Sequence, residues 1–352
     1  MRHTLACGVL FSGRNSMGLK QRITEGWQSR SVLSVLLLPV ALLFALLVNC
    51  RRHAYRLGWM GTVKLSVPVV VIGNITAGGS GKTPLVLYVV QALARRGWRP
   101  GIVSRGFGGR VQGIHAVSPE SDATLVGDEP LLLARRAGCP VFVGHDRVAA
   151  AQALMSAHPD CNVLIADDGL QHLRLGRDVE LVVIDERGIG NGWPLPAGPL
   201  RECPARINEA HALVLNGDAP VPAGVEPRLM FGMHLVGDRF HNLHDPQRTC
   251  GVEAFRGRRL HALAGIGHPA RFFRQLERMG LRAEQHAFPD HHAFRKADLA
   301  FVGDGIMLMT EKDAVKCQAF APPETWVFPV EAQLDPDLAQ WLVEKLNGCQ
   351  TA

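Results

Sequence analysis

A lysine and a threonine stand directly after closely spaced glycines in the first third of this 352-residue chain. Residues 73–84 read Gly-Asn-Ile-Thr-Ala-Gly-Gly-Ser-Gly-Lys-Thr-Pro. Successive backbone N–H groups of such a loop can surround a phosphate, and a following helix adds the positive end of its dipole. The pattern therefore predicts a site for a nucleoside triphosphate with Mg²⁺. The residues predicted to hold the nucleotide are Thr76, Ala77, Gly78, Gly79, Ser80, Gly81, Lys82 and Thr83.

This loop departs from the strict phosphate-binding pattern at one position. The pattern has a glycine five residues before Gly81, where this chain has Thr76, although neighbouring glycines can supply backbone freedom. An apolar run over residues 67–72 predicts a strand before the loop, and the apolar spacing of residues 84–96 predicts a helix after it. These flanking elements favour a phosphate loop over the alternative, an ordinary glycine-rich turn.

Two adjacent acids, Asp167 and Asp168, follow a short apolar run. A carboxylate at the C-terminal end of a strand, beside the strand of the glycine-rich loop, can hold Mg²⁺ directly or through water. Asp185 ends a similar run and competes for this role. Asp167 is favoured because a polar cluster with Gln171 and His172 continues after it. The alternative is a turn that simply ends a strand.

Asp128, in the sequence Gly-Asp-Glu-Pro, precedes an apolar helix and has two interpretations. Its carboxylate can cap the helix N-terminus, or it can act as a general base that removes a hydroxyl proton. The residues alone favour neither.

Further polar clusters lie in predicted loops. Residues 290–292 are Asp-His-His, which suits acid–base work, loop hydrogen bonding or, less well because no third ligand has a matching spacing, metal binding. Arg105 follows a predicted strand, and Arg201 stands beside Glu202 in a Pro/Gly-rich stretch. Both arginines suit the binding of a phosphate, and the alternative for each is a solvated loop.

The positive charge of the chain is concentrated at its N-terminus. Residues 1–64 hold nine Lys/Arg and one acid, whereas the remainder holds 29 Lys/Arg and 31 Asp/Glu. The basic balance is therefore not that of a general nucleic-acid-binding surface, and no nucleic-acid partner or obligate protein partner is predicted. The eight cysteines form no Cys-x-x-Cys pair and indicate neither a zinc site nor a disulfide framework. They are typical of a cytosolic protein.

The same segment contains residues 32–48, which are apolar except for Ser34 and the helix-breaking Pro39 and are flanked by basic residues. A full membrane span needs about 20 apolar residues, so shallow insertion into an anionic membrane surface is favoured over a true span. A cleaved signal peptide is the third alternative. Residues 1–16 are predicted to be dispensable, with Met17 as an alternative start.

After this segment, short apolar strands alternate with helices, which predicts a mostly parallel sheet covered by helices on both faces. A Pro/Gly-rich linker over residues 216–227 precedes a second α/β pattern. We therefore predict a membrane-associating segment over residues 1–64, a P-loop domain over 65–225 and a smaller α/β domain over 226–352.

Taken together and in this order, the motifs resemble the tetraacyldisaccharide 4'-kinase family of lipid A biosynthesis. The resemblance runs from about residue 20 to the end of the chain. It is carried by the N-terminal apolar helix with Pro39 and by residues 73–84, 104–109, 127–130, 167–172, 195–202, 265–269, 290–292 and 310–313.

The resemblance implies transfer of the γ-phosphate of ATP to the 4'-hydroxyl of tetraacyldisaccharide 1-phosphate, giving lipid IVA. ATP and Mg²⁺ would be required, and the partners would be the lipid A disaccharide 1-phosphate and an anionic membrane surface. The location implied is the cytoplasmic face of a bacterial inner membrane. The family's unusual P-loop also accounts for Thr76.

Site roles follow from the matching motifs. Lys82 would hold the β- and γ-phosphates, while Thr83 and Asp167 would hold Mg²⁺ with Asp168 beside them. The phosphate and sugar sites would be lined by Arg105, Gln171, His172, Arg201 and Glu202.

The catalytic base implied by the resemblance is Asp128, supported by His291 from the second domain. Whether Asp128 or Asp168 takes the proton stays open at this point. Phe107 stands where the family often has tyrosine, so any hydroxyl contact there is lost.

Two rival functions are considered. Residues 310–313, Thr-Glu-Lys-Asp, loosely resemble a guanine-reading motif with the lysine one place late, which would suit a P-loop GTPase or a metallochaperone-like ATPase. A membrane-anchored, nucleotide-binding adaptor is the other alternative, and it would have no need of Asp128.

Overall fold

A computed structural model of the chain describes residues 23–24, 26–335 and 337–350. The predictions on residues 1–16 and on Met17 lie outside these ranges. The described helices are α1 (Val32–Leu36), α2 (Leu38–Arg56), α3 (Lys82–Ala94), α4 (Ala123–Val126), α5 (Asp128–Arg136), α6 (Arg147–Ala157), α7 (Pro269–Arg278), α8 (Glu311–Cys317) and α9 (Leu338–Gln350). Short 3₁₀ segments lie at Gly26–Gln28, Pro204–Glu209, Val252–Phe255 and Lys296–Val302.

Strands alternate with these helices through most of the chain. In sequence order they are β1 (Val69–Gly73), β2 (Pro100–Ser104), β3 (Ile114–Val117), β4 (Val141–Gly144), β5 (Val163–Asp167), β6 (Val179–Asp185), β7 (Ala212–Asn216), β8 (Met230–Val236), β9 (Phe240–Asn242), β10 (Thr249–Cys250), β11 (Leu260–Ala264), β12 (Glu284–Ala287), β13 (Ile306–Thr310), β14 (Thr325–Phe328) and β15 (Glu331–Asp335).

Among the described residues, nine strands form the larger sheet in the order β15-β8-β7-β6-β1-β5-β2-β4-β3. The strands from β8 to β4 run parallel, and only β15 and β3 pair antiparallel at the edges. Every residue of β1, β5 and β6 is buried, as expected for parallel strands covered on both faces. The predicted mostly parallel α/β fold is confirmed.

Two apolar cores cover the faces of this sheet. On one face, Leu85 and Leu93 of α3 pack against β1 and β5 residues such as Ile72. On the other face, Val148 and Leu154 of α6 complete a second core. Because β1 lies between β5 and β6, the C-terminal ends of these three strands meet at one edge, where the glycine-rich loop begins.

The smaller sheet follows the order β10-β9-β14-β13-β11-β12 in the described chain. Its strands β12, β11, β13 and β14 are parallel, and β9 pairs antiparallel with β14. Aromatic side chains fill its core, including Phe240, Phe272 and Trp326 on one side. The other side is covered by the 3₁₀ segment Lys296–Val302, through residues such as Leu299.

The division between the sheets differs from the predicted division near residue 225. β8 remains in the larger sheet, and β15 returns to it, pairing antiparallel with β8. α9 then packs Leu338, Leu342 and Leu346 into the core beside α3. The smaller sheet is therefore an insertion spanning Phe240 to Phe328 rather than the whole C-terminal region. A pairing between strands about a hundred residues apart leaves no local signal in the sequence.

The N-terminal helices expose a broad apolar surface. Pro39 lies in the first turn of α2 and not inside it, because the helical segment is divided between α1 and α2. Leu42 and Leu46 of α2 are 63% and 58% exposed. Among the described residues, no helix is both long and apolar enough to cross a bilayer. Before α1, the Trp27 indole donates to the Pro196 carbonyl at 3.0 Å, which ties this segment to the larger domain.

The position of α9 leads to a prediction about stability. Leu342→Ala should lower the free energy of unfolding by about 2–5 kcal/mol, because it opens a cavity in the core of the larger domain. Thermal unfolding measured by calorimetry would test this, with the exposed Gln340→Ala as control. A midpoint unchanged from wild type would contradict the assignment of α9 to that core.

Candidate active site

The glycine-rich loop forms at the C-terminal end of β1 and ends where α3 begins at Lys82. Gly78 and Gly81 have φ values of 102° and 92°, in the region that favours glycine. Lys82 is buried, and its ammonium lies 3.2 Å from Asn74 Oδ1 and 3.5 Å from Asp168 Oδ1. The Ser80 hydroxyl is buried without a partner in the described structure, as expected of a donor placed for a phosphate.

The backbone of Thr76 is paired with another segment of the chain and is not part of a turn that requires glycine. It forms an antiparallel bridge with Leu200, and the next residue, Ala77, donates its N–H to the Pro199 carbonyl at 2.8 Å. The Asn74 amide lies 3.4 Å from the Thr76 hydroxyl. Because any residue can adopt an extended backbone, the pairing removes the need for glycine at this position.

Asp167 lies at the end of β5, beside Ile72 of β1. Its side chain is buried; one oxygen accepts the Ser104 hydroxyl at 3.0 Å, and the other has no partner in the described structure. Burial, together with the charges of Glu129 and Asp168, raises the pKa of Asp167. A buried carboxyl group is costly to ionise unless a positive charge is nearby. Asp167, with one oxygen that has no partner in the described structure, therefore fits a position where a cation binds.

Asp168 adopts a left-handed backbone (φ 47°), which turns its carboxylate toward the loop lysine. Arg201 Nη1 lies 2.9 and 3.0 Å from its two oxygens. Burial raises the pKa of Asp168, but the charges of Lys82 and Arg201 outweigh burial and lower it to about 2. Its two oxygens are thus ionised and engaged by cations.

Asp185, the alternative metal-binding acid, is engaged elsewhere. Its carboxylate pairs with Arg187, whose Nη2 lies 2.8 Å from Oδ2. Arg187 Nη2 also donates to the Gly79 carbonyl at 2.6 Å. This pair braces the glycine-rich loop, a contact that the sequence reasoning missed because nothing near Arg187 marks it.

Asp128 is the first residue of α5 and Gly127 is the N-cap, so Asp128 lies one residue inside the predicted cap position. Its Oδ1 still accepts the Glu129 N–H at 2.9 Å, in the first turn of the helix. His291 Nδ1 lies 3.1 Å from both oxygens of Asp128. Burial raises the pKa of Asp128, but the His291 hydrogen bond and the nearby ammonium of Lys312 lower it more. Asp128 from the larger domain and His291 from the smaller one are thus in contact, as the predicted carboxylate–imidazole pair requires. His292 instead faces Asp298 at 3.1 Å.

Lys312, which the sequence reasoning considered only as part of a guanine-reading motif, lies at the centre of this cluster. Its ammonium is 3.0 Å from Glu129, 3.3 Å from Asp290 and 3.5 Å from His291 Nε2. These carboxylates raise the pKa of Lys312 despite its burial. Asp313 is fully buried and accepts the Gly265 N–H at 3.0 Å, a structural role that leaves it unable to read a base.

The remaining predicted residues line one cavity together with Lys82; they are Arg105, Gln171, His172, Arg201 and Glu202. Gln171 donates to the Asn74 carbonyl at 3.1 Å and to Glu202 at 2.7 Å. Arg52 of α2 lies 3.6 Å from Glu202, so this network extends to the N-terminal helix. Burial and the charge of Arg147 lower the pKa of His172 to about 4 and keep its imidazole neutral near pH 7.

Two cavities meet at the glycine-rich loop, and Gly79, Lys82 and Glu129 line both. The smaller, of about 210 Å³, lies between α3 and the smaller sheet. Its lining combines apolar side chains such as Leu132, Ile266 and Phe272 with charged ones such as Glu129 and Arg271.

The larger cavity, of about 720 Å³, extends from Lys82 to α2. Arg105, His172 and Arg201 line it together with Phe44 and Val48 of α2. Polar groups therefore surround the loop lysine, and α2 contributes the apolar Phe44 and Val48 beside the basic Arg51 and Arg52. Such a mixed lining suits an amphiphilic molecule.

A phosphate loop on a parallel sheet, an acid at the adjacent strand end and a carboxylate–imidazole pair facing the loop define a P-loop phosphotransferase. The model of the tetraacyldisaccharide-1-P 4'-kinase family matches residues 33–347. The chain therefore belongs to that family.

Individual relatives agree with this assignment. A tetraacyldisaccharide 4'-kinase of Azoarcus sp. (strain BH72) is 52% identical over 91% of this chain and 94% of the relative. A tetraacyldisaccharide 4'-kinase of Dechloromonas aromatica (strain RCB) is 52% identical over 90% of this chain and 94% of the relative. The crystal structure of LpxK from Aquifex aeolicus in complex with ATP matches with a TM-score of 0.77 at 28% identity, covering 90% of this chain and all of that one. The predicted family, and with it an ATP-dependent lipid A 4'-kinase, is confirmed.

The Asp128–His291 pair generates a prediction about pH. Because the folded-state pKa of Asp128 is lowered, its stabilising contribution is present above the ordinary value of 3.8 and is lost as the pH falls through the folded value. The difference in thermal midpoint between wild type and Asp128→Asn should therefore be larger at pH 5 than at pH 3. Asp160→Asn, at the opposite end of β5, should follow wild type at both values. A difference independent of pH would contradict the ion pair.

Proposed function

We propose that ATP occupies the smaller cavity and the tetraacyldisaccharide 1-phosphate the larger one, so that their reacting groups meet at Lys82. The observation that supports this assignment of the two ligands is that the two cavities adjoin at Gly79, Lys82 and Glu129, which line both of them. The smaller cavity offers apolar side chains, Leu132, Ile266 and Phe272, that suit the base of a nucleoside beside charged groups that suit its phosphates. The larger cavity leads to the exposed helix α2, where acyl chains can remain in an apolar environment.

In this proposal, Asp128 accepts the proton of the 4'-hydroxyl as it attacks the γ-phosphorus. The lowered pKa of Asp128 keeps the carboxylate ionised at neutral pH, and His291 fixes its orientation through the bonds at 3.1 Å. Asp168 is a poorer candidate, because Arg201 and Lys82 already engage its oxygens. Its role is to position those two cations for the phosphates.

The residues present fit a magnesium ion. Asp167 offers a buried carboxylate oxygen without a partner in the described structure, and Thr83, one residue into α3, offers a hydroxyl beside the loop. Mg²⁺ held there would neutralise charge on the β- and γ-phosphates. Lys82 would orient the same phosphates from the opposite side, and the Ser80 hydroxyl would donate to one of them.

Acceptor binding is assigned to the polar part of the larger cavity. Arg105 and Arg201 supply positive charge, and neutral His172 and Gln171 supply hydrogen bonds suited to sugar hydroxyls. Glu202 holds Gln171 in place and is itself paired with Arg52 of α2.

We further propose that α1 and α2 lie in the surface of the cytoplasmic leaflet of the inner membrane. Exposed leucines on α2 and the arginines in its C-terminal turns, Arg51, Arg52 and Arg56, suit an anionic interface. The acceptor is an amphiphile, so an enzyme held at that surface would meet it far more often than a protein in bulk solution. ATP is available on the cytoplasmic side.

Transfer of ³²P from γ-labelled ATP to the disaccharide 1-phosphate tests the catalytic assignment. Asp128→Asn should lower kcat by about 10²–10⁴-fold with little change in the KM for ATP, because only the proton acceptor is removed. Lys82→Ala should abolish detectable transfer. The exposed Asp304→Asn should behave as wild type. Undiminished transfer by Asp128→Asn would remove it as the base, and no transfer by wild type would overturn the function.

Co-sedimentation with vesicles that contain anionic lipid tests the membrane assignment. Replacement of both Leu42 and Leu46 by serine should weaken binding by roughly tenfold or more, because two exposed apolar side chains no longer enter the interface. Leu125 and Val221, 39% and 38% exposed elsewhere, provide a matched double serine control. Equal binding by both double variants would contradict the proposed surface.

A further inference from the structure

A second group of ligand-type side chains lies at the edge of the smaller sheet. His261 Nδ1 is 3.1 Å from His286 Nε2 and 3.4 Å from Glu284 Oε2. His286 Nε2 is 3.8 Å from Glu284 Oε1. One ligand atom from each residue lies within 4.8 Å of the other two, so the three face a common point.

The register of β11 and β12 produces this arrangement. His261 lies opposite Glu284, and His286 follows two residues later, so all three side chains project from the same face. Phe301 stacks on the His286 ring with centroids 3.6 Å apart and fixes its orientation. His261 is fully buried, whereas Glu284 is 59% exposed, so the group opens to solvent at the carboxylate.

The distances suit a tetrahedral metal site. With metal–ligand bonds of about 2.0–2.1 Å, neighbouring ligand atoms of a tetrahedral zinc site lie about 3.3 Å apart. The 3.1 Å between the two imidazole nitrogens and the 3.4 Å from His261 Nδ1 to Glu284 Oε2 lie around that value, and the other Glu284 oxygen is 3.8 Å from His286 Nε2. Two imidazoles and one carboxylate form a donor set that zinc takes readily, whereas Mg²⁺ prefers oxygen ligands alone.

We propose that His261, Glu284 and His286 bind one zinc ion, with water as the fourth ligand. The ion would tie the edge strand β12 to β11. The chain continues from His286 to His291 in five residues, so zinc would stiffen the segment that brings His291 to Asp128. The site is separate from the phosphate loop, and its effect is on stability rather than on the transferred phosphate.

Calorimetric titration of tag-free, full-length protein with Zn²⁺, in excess Mg²⁺, tests the proposal. Wild type should bind one Zn²⁺ per chain, and so should the control His115→Gln, which changes an exposed histidine elsewhere. His286→Gln should not bind this ion. Glu284→Gln should bind it at least about tenfold more weakly. Zinc should also raise the thermal midpoint of wild type and the control, because a ligand that binds only the folded state stabilises it.

Equal zinc binding by all four proteins would refute the site, as would the absence of a zinc-dependent rise in the wild-type midpoint. Because Glu284 is exposed and its replacement by glutamine conserves shape, that variant keeps the test decisive if His286→Gln unfolds early. Melting curves without zinc identify such unfolding directly.

Discussion

The antiparallel pairing of β15 with β8 determines how the two sheets face each other. The chain leaves the larger sheet at the end of β8 and returns at the start of β15, so the smaller sheet is attached through two adjacent strands. The Val330 N–H, just before β15, donates to Glu311 at 3.3 Å, and Glu311 pairs with Arg136 of α5. α8 is thereby held against α5, and Lys312 is placed beside Asp128.

Where the two sheets approach each other, the charged side chains are arranged in pairs of opposite sign. Lys82 and Arg201 surround Asp168, while Lys312 is surrounded by carboxylates, so each of these three cations has an opposite charge nearby. These groups hold their relative positions without a ligand. In the proposed phosphoryl transfer, charge that develops between these groups would require little reorganisation of them, which is the main way that such reactions are accelerated.

The sequence predicted the elements whose signals are local. The glycine spacing and the apolar runs placed the phosphate loop after β1 and Asp167 after β5, and the structure has both there. The sequence left Asp128 as either a helix cap or a base, because the His291 contact that supports the proposed base joins residues 163 apart in the chain. The return of β15 and the central position of Lys312 are also products of long-range packing, which periodicity cannot report.

The bridge between Thr76 and Leu200 has a mechanical consequence. Ala77 is bound to the Pro199 carbonyl, and the Pro196 carbonyl of the same segment accepts the Trp27 indole at the N-terminal edge of the fold. The glycine-rich loop and the N-terminal segment are thus attached to one short strap, residues 196–200. With the N-terminal segment on a membrane, as proposed above, a force applied to that segment would be transmitted through the strap to the backbone that surrounds Lys82.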